Sequence, residues 1–477
     1  MTQRIVGPFN RVEGDLEVSL DIADGRVGAA RVSSPLFRGF EEILTGKAPT
    51  DALVIVPRIC GICSTSQSSA AAMALRRLTA REPPPNGQLA ICLITACENL
   101  ADHLTHFYLF FMPDFARPIY QARPWFAQTQ ARFQAVSGAA LNEVLPARTE
   151  FLHLMGLMAG KWPHTLSIQP GGTARPLGQA EVLHIISLLR AFRRFLERQT
   201  FGDALEGIAE LASLEALQRW RAGRSGDLAL FLDIAQDLGL ERLGRATDRF
   251  ISYGAYRTPD GDLFPSGVWD GVPHALDSQL ISEDVSHAWL GGDTRAPAHG
   301  LTRPAPEKPG AYTWCKAPRY GGRVMETGAL ARQTVAGHPL VRELVTTAGG
   351  SVLARVLARL LELAIVVPAM ERWAQALRPG EPWCHQDPLP AEGASVGLVE
   401  AARGALGHWL TVHQGRIAAY QIIAPTTWNF SPRDQAGTPG SLEQALVGAA
   451  VSDGEDTPVT VQHIVRSFDP CMVCTVH

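Results

Sequence analysis

The sequence predicts a mainly α body with small peripheral β-sheets, an α+β class. Three observations carry this. Helically spaced apolar residues dominate the middle of the chain, apolar–polar alternation is confined to residues 16–34 and 396–424, and the Gly-, Pro- and Asp-rich stretch 254–310 has no clear period. With 46% hydrophobic and 19% charged residues among 477, the composition is that of a packed globule with a large core.

Taken in order, residues 16–34 alternate about Asp24-Gly25 and read as a β-hairpin. Apolar spacing predicts a helix from Ser64 to Leu78. The stretch 88–112, "QLAICLITACENLADHLTHFYLFFM", is apolar on every side, which predicts a buried helix. Further helices are expected over 179–199 and 351–367. Near 396–424 the pattern turns β, with two strands around Gln414-Gly415. The 254–310 stretch reads as irregular covering structure, not as a linker. No repeat or low-complexity segment divides the chain, so one large domain over 1–477 is expected.

Charge is nearly balanced, with 43 basic and 47 acidic residues and no basic stripe, so nucleic acid is not an expected partner. The longest apolar run, 361–370, is too short to span a bilayer. The start, "MTQRIVGPFNRVEGD", has no apolar signal core. The expectation is a cytoplasmic chain with no direct membrane insertion.

Eight cysteines are too sparse for a disulfide scaffold. Cys92, Cys97, Cys315 and Cys384 are scattered and read as small buried hydrophobes. The other four form two Cys-x-x-Cys pairs, Cys60/Cys63 and Cys471/Cys474. A thioredoxin-like redox pair needs a βαβ unit, which neither pair has. Zinc ribbons place their pairs roughly 15–20 residues apart, because they fold a local module. Here almost the whole chain intervenes. Spacing alone leaves structural zinc and a catalytic metal held between two distant elements equally open.

The surroundings of the pairs decide between them. "RICGICSTSQ" (58–67) and "RSFDPCMVCTVH" (466–477) together resemble the large subunit of [NiFe] hydrogenases. "RVEG" (11–14), "FRGFEE" (37–42), "DHLTHFY" (102–108), "KAPRYGGRVMETGALAR" (316–332), "EAARGALGHW" (400–409) and "PTTWNFSPRD" (425–434) match further motifs in the family order, so the resemblance covers the full length. It implies the [NiFe] hydrogenase large-subunit fold, a catalytic domain to which both ends of the chain bring metal ligands, and heterolytic cleavage of dihydrogen.

By the resemblance, Cys63 and Cys474 bridge nickel and iron, while Cys60 and Cys471 bind nickel alone. Splitting dihydrogen needs a base within about 3 Å of the hydride acceptor, and the resemblance gives that role to Cys471. Glu13 matches the family's proton-transfer glutamate; its plainer reading is a surface charge after a strand. The iron is implied to carry cyanide and carbon monoxide, whose acceptor atoms call for donors. Arg403 and Thr426, the latter behind Pro425, match those positions, and Asp102 matches the acid that pairs with the arginine. Arg403 alternatively reads as a structural ion-pair member. Glu41, the carbonyl of Ile422 and His477 match the ligands of a magnesium ion, although histidine is an unusual ligand for that metal. A histidine at a chain end is otherwise simply exposed.

Departures from the family refine the expectation. Gln67 stands where most members have histidine, and Ala402 replaces a proline before Arg403. Ile62 and Phe110 fall where many members carry valine and leucine beside the gas channel. Many family precursors continue beyond the final histidine, and this sequence stops at His477. Gln67, Ile62, Phe110 and the end at His477 resemble the hydrogen-sensing, regulatory branch, which implies a signalling histidine kinase as a further partner. Ile62 and Phe110 also read as residues chosen for packing alone. With no cysteines left for clusters, electrons are expected to leave through an iron–sulfur small subunit. The alternatives are a closely related uptake hydrogenase, a non-catalytic relative such as the quinone-site subunit of respiratory complex I, and a zinc-stabilised interaction protein.

Overall fold

The computed structural model describes residues 2–79, 81–452, 455 and 458–477. At the N-terminal side, strands Glu17–Ala23 and Arg26–Ser33 form the expected hairpin, turning at Asp24-Gly25 with φ of 52° and 68°. Positive φ at both turn residues suits the right-handed twist of the paired strands. A third strand, Thr2–Val6, adds antiparallel to Glu17–Ala23. Its five residues, "TQRIV", are too few to show a period.

Helix Ser64–Thr79 lies where the apolar spacing places it. Helix Pro85–Thr105 is buried nearly all round from Leu89 to Leu104, but it does not run on to 112. It opens into a π-helical turn, His106–Phe111, and then tightens at Met112–Ala116. Pro113, inside that last turn, has no N–H to give, while Met112 before it stays in the α region with φ −61° and ψ −31°. Phe110 therefore does not stand two regular turns from Asp102, and it is half-buried. Helix Gln179–Phe195 ends in a similar π turn, Leu196–Phe201.

The axis of the core is helix Val352–Ala376, capped by Ser351, whose Oγ accepts from Ala354 N–H at 3.2 Å. It packs against helices Pro85–Thr105, Gln179–Phe195 and Val459–Phe468. It continues nine residues past its expected end, through Pro368. Burial of Val366, Val367, Ala369 and Met370 around the proline holds it together. Helix Leu141–Ala159 escaped the sequence reading because Pro146 interrupts its pattern.

The second β region is a three-stranded antiparallel sheet, Gly393–Ala401, Gly404–His413 and Arg416–Ile423. Its last two strands turn at Gln414-Gly415, as expected, and the first begins three residues before the β region expected from 396. The sheet lies on helix Ser64–Thr79 so closely that a Cβ at Gly397 would come 1.9 Å from the Ala70 carbonyl oxygen. That contact fixes the helix whose first turn follows Cys63. The 254–310 region is more ordered than expected. It contains strands Ala255–Thr258, Gly261–Phe264, Gly267–Trp269 and Ile281–Asp284, each too short to reveal alternation. Cys92, Cys97 and Cys315 are buried, and Cys384 is half-buried.

Many charged groups in this core are paired. The Arg332 guanidinium donates to Glu362 Oε2 at 2.9 Å, to Glu400 Oε2 at 2.7 Å and to the carbonyls of Ala401 and Ala402 at 2.9 and 3.1 Å. Burial alone would raise the Glu362 pKa; Arg332 and His103 outweigh it and hold it at about 2. A carboxylate held below its ordinary value of 4.5 adds stability above that value, and the addition fades as pH falls toward 2. Glu362→Gln is expected to cost about 3–5 kcal/mol near neutrality. In denaturant unfolding, the gap between wild type and variant should narrow as pH falls through 4.5. A gap that is absent or independent of pH would show that the pair does not carry this stability.

Candidate metal centre

Each cysteine pair sits where a helix begins or ends. The turn Val56–Ile59 delivers an extended Cys60, and the chain bends through Gly61 and Ile62 to Cys63, just ahead of helix Ser64–Thr79. At the other end, helix Val459–Phe468 stops at Asp469, whose φ is 58°. Arg359 and Arg355, from the axial helix, hold that stop. Arg359 Nη1 donates to the Ser467 carbonyl at 2.6 Å, and the Arg355 guanidinium lies 3.6 Å over the Phe468 ring. Pro470 and an extended Cys471 follow, and the turn Met472–Thr475 carries Cys474.

The four sulfur atoms converge. Sγ–Sγ separations are 3.5 Å for Cys60–Cys471, 3.0 Å for Cys63–Cys474 and 3.0 Å for Cys471–Cys474. All four atoms lie within 4.8 Å of one another, and all four residues are buried and free of disulfides. Contacts from Cys471, Cys474 and Cys63 pull the Cys60 thiol well below its ordinary pKa. Burial, with the neighbouring thiols, pushes Cys471 and Cys474 up, and contact with Cys471 and Cys474 pushes Cys63 up. Three of the four thiols are thus pushed away from the thiolate form. Four thiolates would need added positive charge, which fits a soft or borderline metal held by sulfur.

The N-terminal segment straps this cluster. Met472 N–H donates to the Glu13 carbonyl at 2.7 Å, and Glu13 N–H to the Pro470 carbonyl at 3.4 Å, so Glu13 runs beside Cys471. Arg466 anchors the strap, giving Nη2 to Asn10 Oδ1 and Nη1 to Asp114, each at 2.6 Å. Glu13 is half-buried; burial and the Cys60 charge raise its pKa against the pull of Arg403.

Arg403 sits in the two-residue turn between strands Gly393–Ala401 and Gly404–His413. The carbonyls of Ala401 and Ala402, held by Arg332, support that turn where the family has a proline. Arg403 Nη1 lies 2.7 Å from Asp102 Oδ2, and Nη2 lies 3.0 Å from Asp469 Oδ1. Burial opposes the guanidinium charge, but Asp102, Asp469, Cys471 and Cys60 outweigh it. Burial pushes Asp102 up, to about 7, against Arg403, with Asp469 and Cys60 adding to the rise. Arg403 Nη1 is buried yet makes no aligned hydrogen bond, so a donor remains for an acceptor beside the sulfurs. Pro425 opens the short helix Pro425–Asn429, and Thr426 Oγ1 accepts from Cys471 N–H at 3.2 Å, leaving its own proton to give.

Glu41, Ile422 and His477 line one cavity of about 20 Å³, with Lys316 and Glu283 beside them. His477 Nδ1 lies 3.1 Å from the Cys474 carbonyl, which assigns a ring proton to that nitrogen. Nε2 faces Glu41 Oε1 at 3.2 Å. A ring that gave Nε2–H to Glu41 would pair with it directly, whereas a cation between Nε2 and Oε1 would leave Nδ1–H on the carbonyl, the arrangement of a ligating histidine. Burial would raise the Glu41 pKa; Lys316 and His477 instead hold it well below the carboxylate range.

Gln67 is fully buried, and its Oε1 lies 2.8 Å from His408 Nε2. Burial pushes His408 down to about 3, so the ring is neutral, with Nε2–H donating to Gln67 and Tyr420 O–H donating to Nδ1 at 2.8 Å. Ile62 is half-buried against the core. Sequence reasoning missed Asp469, Lys316, Arg332 and Arg38. Asp469 had one signal, its place between a helix pattern and Pro470-Cys471. Arg38, Lys316 and Arg332 stand inside the quoted stretches 37–42 and 316–332, but no role for them shows there, because their partners lie far away in the chain.

If His477 anchors the C-terminal turn, its deletion should raise amide hydrogen exchange over residues 470–476 and leave helix Val352–Ala376 protected, as read by mass spectrometry. Equal protection of 470–476 with and without His477 would remove that role.

The comparisons agree with this geometry. The model of the nickel-dependent hydrogenase family matches residues 38–143 and 130–477. The chain is 30% identical to the periplasmic [NiFeSe] hydrogenase large subunit of Desulfomicrobium baculatum, over 99% of this chain and 94% of that protein. It is 28% identical to the uptake hydrogenase large subunit of Azotobacter chroococcum mcd 1, over 99% and 95% respectively. The solved Ni-Fe-Se hydrogenase from D. vulgaris Hildenborough superimposes with a TM-score of 0.86 at 29% identity, covering all of both chains. Sequence and fold agree that the chain belongs to the nickel-dependent hydrogenase family, as a large, catalytic subunit.

Proposed function

We propose that this chain cleaves dihydrogen heterolytically at a nickel–iron centre held by Cys60, Cys63, Cys471 and Cys474, in one catalytic body closed by both ends of the chain. The convergence of four buried sulfurs within 4.8 Å carries the reading. When bound, the centre polarises dihydrogen and accepts its electrons. The protein's own groups handle the rest. Cys471 takes the proton. Glu13, half-buried beside Cys471 and with a raised pKa, passes it outward. Arg403 and Thr426, behind Pro425, would donate to cyanide on an iron that also carries carbon monoxide. Asp102 orients Arg403. Glu41, the Ile422 carbonyl and His477 would hold magnesium. Electrons pass to an iron–sulfur small subunit, because the four remaining cysteines are scattered.

A finer reading favours the hydrogen-sensing branch over an uptake role. Gln67 supports it: in place of a titratable imidazole the site has an amide bonded to neutral His408. Ile62, between Cys60 and Cys63, supports it as a bulky residue on the approach to the centre. A cytoplasmic location and a signalling histidine kinase partner belong to this reading. Among the described residues no helix is long and apolar enough to cross a membrane.

In the complex with its small subunit, exchange of deuterium gas with solvent protons tests the proton route. Cys471→Ser should abolish it. Glu13→Gln should keep nickel and iron, with their infrared cyanide and carbon monoxide bands, and slow exchange about 10²-fold or more, the scale of a lost acid–base group. Unchanged exchange in either variant would overturn that role, and zinc as the sole metal would overturn the whole reading.

The finer reading has its own test. Ile62→Val with Phe110→Leu should leave hydrogen activation intact but make it slowly inactivated by air, while the wild type resists. Equal oxygen resistance would leave the sensor reading on Gln67 alone.

A further inference from the structure

Arg38 is exposed and lies three residues before Glu41. Its Nη2 donates to the Ile59 carbonyl at 2.7 Å and also to the Val473 carbonyl. Ile59 immediately precedes Cys60, and Val473 immediately precedes Cys474. One nitrogen, with two hydrogens, thus joins the peptide leading into a cysteine of each pair. The Val473–Cys474 peptide is held on its other edge too, because Cys474 N–H donates to the Cys471 carbonyl at 3.0 Å. The guanidinium carbon stands 4.9 Å over the Phe40 ring, which limits where the side chain can swing. Among the described residues no carboxylate forms an ion pair with Arg38, so nothing draws its Nη2 away from the two carbonyls. Glu41, on the following turn, takes the His477 ring from inside the protein. The segment 38–41 therefore grips the second cysteine motif from both sides and the first from outside.

We propose that Arg38 is a positioning residue that sets the distance between the two cysteine pairs before any metal enters. This rests on reading the four cysteines as one centre. Without the clamp, the two motifs remain attached to separate helices and drift apart, and within-pair contacts win over contacts between pairs. The planar guanidinium matters because both hydrogens of one nitrogen point at fixed angles toward two acceptors. A lysine ammonium on a flexible stem reaches the same carbonyls with less constraint.

The test uses the full-length chain produced without nickel, oxidised with limiting diamide and mapped by peptide mass spectrometry. Each disulfide formed releases two protons and two electrons, which reduce one diamide to the hydrazine. Wild type should give between-pair Cys60–Cys471 and Cys63–Cys474 beside within-pair Cys471–Cys474, all three of which the sulfur separations allow. Arg38→Met should shift the ratio of between-pair to within-pair disulfides by about tenfold toward Cys60–Cys63 and Cys471–Cys474, as expected for losing hydrogen bonds from a charged donor. Arg38→Lys should fall between the two. Alkylation of Cys92, Cys97 and Cys315 reports general loosening and should stay unchanged. An unaltered ratio in Arg38→Met overturns the proposal, and so does a shift matched by equal exposure of those three buried thiols. A ratio that depends on Arg38 in a protein that takes up zinc alone would count against the hydrogenase reading and leave the clamp standing.

Discussion

Everything in this fold answers to one constraint: four sulfur atoms from sites 411 residues apart must meet in a volume a few ångströms across. Neither motif can reach the other by local structure, so the intervening chain has to bring them together. The axial helix Val352–Ala376 fixes the end of helix Val459–Phe468 through Arg355 and Arg359, and that end aims Cys471. The sheet packed at Gly397 fixes helix Ser64–Thr79, and with it Cys63. The N-terminal strap closes over Cys471 through Glu13. Fixing the sulfurs is thus spread over elements from every part of the sequence.

Placing charge beside buried sulfur has a cost, met by pairing. Arg403 is held between Asp102 and Asp469, Arg332 between Glu362 and Glu400, and Lys316 between Glu41 and Glu283. Each cation has two acids around it, so its charge is met within the protein. The arrangement is also brittle, because removing one partner strands a charge in a medium that solvates it poorly.

How much of this was legible in the sequence follows from the range of the forces involved. Strong local patterns survived: the Asp24-Gly25 and Gln414-Gly415 turns, helix Ser64–Thr79 and most of the buried helix from 85 onward. The π turn His106–Phe111 and Pro368 show the limits in opposite directions. The first leaves the α ladder inside a stretch the apolar pattern would continue, and the second is carried through a helix the pattern would end, because core packing outweighs one lost backbone hydrogen bond. Strands of two to four residues in 254–310 left no period to read. At the centre, motif resemblance brought forward the cysteines, Glu13, Glu41, Asp102, Arg403, Thr426, Ile422 and His477. It missed Arg38, Arg332, Lys316 and Asp469, whose roles exist only through partners far away in the chain.

The wide separation of the two cysteine pairs also orders events in time. A ribosome adding about 5–20 residues per second needs on the order of 20–80 s to make the 411 residues between them. Throughout that interval Cys60 and Cys63 have emerged, and the sulfurs that complete their site do not yet exist. A lone Cys-x-x-Cys pair is a passable ligand for whichever soft ion arrives first. Faithful assembly therefore depends on keeping the early pair vacant until the late pair folds onto it, and any interruption of synthesis upstream of Cys471 yields half a site that holds the wrong metal as readily as the right one.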